Sequence, residues 1–185
     1  MIYDFSLRTV GLMAGVFLLV IHAAALAAPG TVASWLREFP RSRPAGIVLC
    51  CIGAVWAFWL AATMDLGEFT PNRTLICIVI AAGAVMVPLF AEEFLAVRAL
   101  GILALLAVEP MLGAAFMRPE STRLLLVVLA YAWAVAGLVL VGAPYTLRDA
   151  IAWVTAEGWR LKAAALSGAA YGALLVAVSL LFFAA

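Results

Sequence analysis

Histidine and lysine each occur once in this 185-residue chain, and charged residues make up only 11% of it. Each shortage excludes something. A soluble domain is about a quarter charged and about half apolar, whereas 68% of this chain is hydrophobic. No water-soluble fold of this length could hide so much apolar surface, so lipid must be its solvent. The single histidine, His22, excludes a bis-histidine haem held within the chain. The single lysine, Lys162, sits at the edge of an apolar run, which is the wrong place for a buried Schiff base. Cys50 and Cys51 are adjacent and Cys77 falls in another run, so the cysteines form no disulfide framework and read as small core residues. There is no glycine-rich phosphate loop, no Ser/His/Asp set and no heptad repeat. A formal net charge of +1 gives no footprint for nucleic acid. No residue pattern asks for a cofactor or a metal.

What is present is apolar length. Six runs cover residues 7–28, 46–64, 74–90, 95–116, 124–141 and 163–185. Each is long enough to cross a hydrocarbon core about 30 Å thick as a helix. They are too long and too continuous for barrel strands. The expected fold is an all-α integral membrane protein, one transmembrane domain over 1–185 built as a six-helix bundle. Tyr3, Trp35, Tyr145, Trp153 and Trp159 lie near span ends and suit the membrane interface. Trp56, Trp59, Tyr131 and Trp133 lie inside spans, where packing between helices is expected.

The first run has the outline of a signal peptide, with an apolar middle from Val10 to Ile21 and Ala25-Leu26-Ala27 after it. Cleavage would place the next loop outside the cell, yet that loop carries Arg37, Arg41 and Arg43. An uncleaved first helix is therefore expected. The first, third and fifth loops hold seven of the basic residues, against four in the N-terminus and the second and fourth loops. Lys and Arg favour the cytoplasmic side. Both termini are expected outside, in a bacterial-type inner or plasma membrane.

The first and fifth loops are the only long ones, and they open alike: Ala28-Pro29-Gly30-Thr31 and Ala143-Pro144-Tyr145-Thr146. Proline should end the span and threonine should cap a new helix. Thr146 and Asp149 approach a capping-box spacing. Leu147, Ile151 and Val154 then recur at helical spacing with Arg148, Asp149, Glu157 and Arg160 mostly elsewhere on the wheel. The first loop offers a shorter version, Trp35, Leu36 and Phe39 against Arg37 and Glu38, stopped by Pro40. Two short amphipathic interfacial helices are expected. The flanking spans carry Gly11 and Gly15, and Gly168 and Gly172, at the four-residue spacing that lets helix backbones approach closely. Together these features suggest a weak parallel repeat around a central hairpin.

Few side chains inside the spans can do chemistry. Glu109 lies within the fourth run, followed by Pro110. A carboxyl in the bilayer is costly and marks a functional hypothesis by default, here a proton or cation relay. The plainer expectation is a carboxyl bonded to a neighbouring helix. His22 lies at a depth similar to Cys50 and Cys51, but nothing else supplies further metal ligands, so a bond to a backbone carbonyl is expected. Asp65 and Glu68 read as a solvated helix end.

Val87-Pro88-Leu89-Phe90-Ala91-Glu92-Glu93 followed by Arg98 resembles the Glu-Glu-x-x-x-Arg motif of the CAAX-processing and bacteriocin-processing membrane proteases. The resemblance fails beyond that segment. The arginine stands one position too far from the acids, and no histidine follows His22 to hold a catalytic water. The segment reads instead as a charged hairpin tip.

Two function classes follow. The first is a non-catalytic subunit or scaffold of a larger membrane assembly, whose partners are lipid and other membrane subunits or further copies of itself. The second is a small ion- or proton-coupled transporter or channel that uses Glu109. A membrane enzyme ranks third, for lack of any catalytic motif.

Overall fold

A backbone in lipid has no water to bond, so each long apolar run must satisfy its N–H and C=O groups internally as a helix. The computed structural model describes residues 3–90 and 93–183. Among them, six helices are long and apolar enough to span a membrane, which makes this a multi-pass membrane protein. The chain runs α1 (Leu7–Ala27), α2 (Pro29–Glu38), α3 (Arg43–Thr63), α4 (Arg73–Phe90), α5 (Leu95–Ala115), α6 (Leu124–Gly142), α7 (Tyr145–Val154) and α8 (Gly158–Leu181). Short 3-10 turns at Phe39–Arg41, Gly67–Asn72 and Ser121–Arg123 join some of them.

The breaks between helices have local causes. A residue before proline is pushed out of the α region. Ala28 precedes Pro29 and sits at φ −136°, ψ 64°; Ala143 precedes Pro144 and sits at φ −133°, ψ 66°. The two spans thus end in nearly the same backbone kink, and each kink leads into a ten-residue helix. The expected threonine caps do not form. α2 starts at Pro29, whose fixed φ suits the first helical position, and this places Thr31 inside the helix. Thr146 also lies inside its helix, and its hydroxyl donates back to the Ala143 carbonyl at 2.7 Å. Asp149 pairs with Arg148 instead of closing a capping box. Proline stops the span in both cases; Pro29 then opens α2 and Pro144 takes the N-cap position of α7, which leaves the threonines no capping role. Pro40 does more than stop a helix: it is buried with Phe39 in a turn that packs on α5.

Serines cap two other starts, Ser6 accepting from the Thr9 amide at 3.1 Å and Ser42 from that of Ala45 at 3.4 Å. Arginines close two ends. Arg73 donates to the Ala62 and Met64 carbonyls at 2.9 and 2.6 Å, and Arg123 donates to the Ala115 carbonyl at 2.8 Å. Both bring a cation to the last turn of a helix, where orphan carbonyls and the negative end of the dipole lie.

α5 is the spine of the bundle. Its first half packs on α3, where Gly46 lies against Leu95 and the Ala96 amide. Its second half contributes Met111, Ala114 and Ala115 to a cluster with Leu7, Val10, Ala14 and Leu18 of α1, Leu126, Leu129 and Ala130 of α6, and Leu175 and Val178 of α8. α1 and α8 form the most extensive pair, followed by α5 and α6. α4 packs mainly on α3 and buries none of its own residues.

The aromatics inside spans divide. Trp133 packs against the core and meets Phe17 edge-on at 5.8 Å, while Trp56 donates to the Tyr3 hydroxyl. Tyr131 and Trp59 depart from the expected packing, being 59% and 43% exposed. Tyr131 follows Ala130, and one residue turns a helix by about 100°, so burial of Ala130 aims its neighbour out of the bundle.

Candidate functional site

Glu109 is exposed on the outer surface of α5. Residues Leu105, Glu109, Leu112 and Phe116 recur at spacings of four, three and four, which places them on one helix face. The face opposite carries the buried Met111, Ala114 and Ala115. The groove around Glu109 has a volume of about 440 Å³ and is lined by Leu105, Val108, Glu109, Leu112, Gly113 and Phe116, all from α5. No second helix of this chain closes over it. Among the described residues, no hydrogen bond or ion pair reaches the carboxyl; the charge of the chain's own N-terminal ammonium does act on it. Glu109 lies six positions before the end of α5, about 9 Å into the helix at 1.5 Å per residue.

His22 turns inward, between α1 and α8. Its Nδ1–H donates to the Leu18 carbonyl at 2.7 Å, one turn back on the same helix. A carbonyl only accepts, so Nδ1 carries a proton. The ring lies over the backbone of Gly168, where any side chain would overlap it. Cys50 and Cys51 belong to α3, and among the described residues no three of His, Cys, Asp and Glu gather as a metal site would require.

The four glycines singled out from the sequence meet in the α1–α8 contact. A methyl carbon on Gly15 would lie 3.0 Å from the Gly172 carbonyl oxygen, and one on Gly172 would lie 2.9 Å from that of Gly15. Gly11 faces Ser179 and Phe183, and Gly168 faces His22. These residues therefore pack the chain against itself. A second crossing of the same kind was not anticipated: Gly101 of α5 and Gly137 of α6 are equally close, at 2.9 and 2.8 Å by the same measure. Neither has a glycine four residues away in its own span, so no spacing signal marks it.

The hairpin acids are divided. Glu92 lies outside the described residues, Glu93 is exposed in the turn, and Arg98 is exposed on the first turn of α5. Phe94 between them has φ 57°, a left-handed conformation unusual for a bulky residue. Its ring lies 6.0 Å from the Arg148 guanidinium of α7.

At the same end of the bundle, α2 meets α7. Arg37 donates from Nη2 to the Thr155 carbonyl at 2.7 Å and from Nε to the Thr155 hydroxyl at 2.9 Å. That hydroxyl in turn donates to the Ile151 carbonyl at 2.8 Å, so its proton and a lone pair are both used. Trp35, Tyr145, Trp153 and Trp159 surround this corner with exposed rings.

No protein-family model matches the chain, and no curated protein and no solved structure matches it.

Proposed function

We propose that this chain is a non-catalytic subunit of a larger membrane assembly, docking through the α5 face that carries Glu109. The single observation behind this reading is the outward aim of that carboxyl. Lipid tails can cover the exposed Phe116 and the open sides of Leu105 and Leu112 at no penalty, but they cannot satisfy a carboxyl group. The fitting occupant is a transmembrane helix of another chain that brings a hydrogen-bond donor to the depth of Glu109. Gly113, one turn beyond, leaves room for its backbone.

The transporter reading needs Glu109 in a wet passage between helices. A groove walled by one helix and open along its length offers no such passage within one copy of the chain. The glycines of α1 and α8 are taken up inside the chain, so the subunit reading rests on Glu109 and not on them.

The subunit sits in a bacterial-type inner or plasma membrane with both termini outside and α2 and α7 on the cytoplasmic surface. Basic residues favour the α2/α7 side, and two of the four counted on the other side, Arg73 and Arg123, are tied up as helix caps. Exposed tryptophans on α2, α7 and the start of α8 suit a headgroup depth. The matching kinks at Ala28 and Ala143, each before a ten-residue helix, support a local repeat of span end plus surface helix.

Purification from native membranes separates the readings. Glu109→Leu should strip the partner and leave the chain folded, while Glu109→Gln, which keeps a hydrogen-bonding group, should retain part of it. A transporter would instead keep its oligomeric state in Glu109→Gln and lose flux.

A further inference from the structure

A groove of about 290 Å³ separates α2 from α7, lined by Arg37, Pro40, Arg148, Ile151 and Ala152. Its floor is apolar and its rim carries two guanidinium groups. Arg37 is held in place: two of its five N–H donors go to Thr155, and the rest remain for another acceptor. Among the described residues no carboxylate pairs with it. Arg148 has a partner in Asp149 at 2.8 Å, an exposed pair with side chains 49% and 58% exposed, which water weakens. The site therefore keeps a net positive charge, and one of its two cations is ordered in advance.

We propose that this groove binds the phosphate of an anionic phospholipid, with Arg37 and Arg148 on its oxygens and an acyl chain along Ile151 and Ala152. Guanidinium groups match phosphate oxygens in geometry as well as charge. The lipid source, as against a soluble phosphate compound, follows from the surroundings. Trp35 and Trp153 are 60% and 62% exposed beside the groove, and tryptophans of this kind mark headgroup depth. A phosphate there already belongs to the membrane. The inference rests on the surface placement of α2 and α7 and not on the subunit reading.

The test is native mass spectrometry of the full chain in detergent, titrated with phosphatidylglycerol or phosphatidylcholine. Retention of phosphatidylglycerol over phosphatidylcholine is expected, with about tenfold weaker retention in Arg148→Gln. Ala152→Trp, which fills the floor without changing charge, should weaken it too. Arg41→Gln removes a cation of the same face outside the groove and should have little effect. Equal retention of the two lipids would overturn the proposal, as would an equal loss in Arg41→Gln or displacement by millimolar inorganic phosphate. A fluorophore on Ser34→Cys, probed with a headgroup spin label, reads the placement separately. Quenching without lipid retention overturns the site alone, and no quenching overturns both.

Discussion

Arg37 and Thr155, 118 positions apart, are joined by two hydrogen bonds of 2.9 and 2.7 Å that fasten the end of α2 to the end of α7. Thr155 is buried, and its carbonyl belongs to the last turn of α7, where an orphan acceptor needs a donor. One side chain thus closes a helix and links two connections that lie far apart in the chain. Thr155→Val keeps the shape and removes the hydroxyl. The expected loss is about 1 kcal/mol, seen as faster amide exchange over 29–38 with the spans unchanged.

The α1–α8 contact is a backbone-to-backbone crossing at Gly15 and Gly172. Gly172→Ala would push a methyl against the Gly15 carbonyl at 2.9 Å, backbone that cannot step aside cheaply. Overpacking of this kind destabilises by about 1–3 kcal/mol. Gly83→Ala on α4 meets nothing within 4 Å and should be neutral or stabilising by up to about 1 kcal/mol. Thermal unfolding of both variants in one detergent checks the contrast.

Gly168 and His22 should be energetically coupled. Gly168→Ala drives the imidazole off the helix and breaks its bond to the Leu18 carbonyl. His22→Ala removes the obstacle. The double variant should therefore be more stable than the sum of the single effects implies, with a coupling of about 1 kcal/mol or more in a double-mutant cycle. Simple additivity would show that the ring does not rest on Gly168.

Arg73 and Arg123 are expected to act as helix caps first and as topology signals second. Arg73→Gln leaves the Ala62 and Met64 carbonyls short of a donor and should lower stability by about 1–2 kcal/mol. The orientation of the protein, read by cysteine labelling from each side of the membrane, should be unchanged.

The six spans were legible because lipid leaves a long apolar run no alternative to a helix. The kinks at Ala28 and Ala143 were legible because proline restricts the residue before it. The caps at Thr31 and Thr146 were misread because the same prolines take over the start of the next helix. Facing was the hard part. In water, a helix announces its buried side by contrast with its polar one. In a span such as α6, apolar all round, Tyr131 and Trp133 look equivalent, yet one faces out and the other packs on the core. The Gly101–Gly137 crossing was hidden for a related reason, since a glycine without a four-residue partner becomes informative only when its partner helix is known. Glu109 stood out at once as an intramembrane carboxyl, but its outward aim depends on which side of α5 meets α6 and α1.

The central claim is that Glu109 faces a partner. The most direct measurement is gentle solubilisation from native membranes, then native mass spectrometry of whatever travels with the chain, for the unaltered protein and for Glu109→Leu. Other membrane chains at fixed stoichiometry, lost in the variant while the subunit itself stays folded, are expected. A lone monomer or a homo-oligomer, or partners that remain bound to Glu109→Leu, would contradict it.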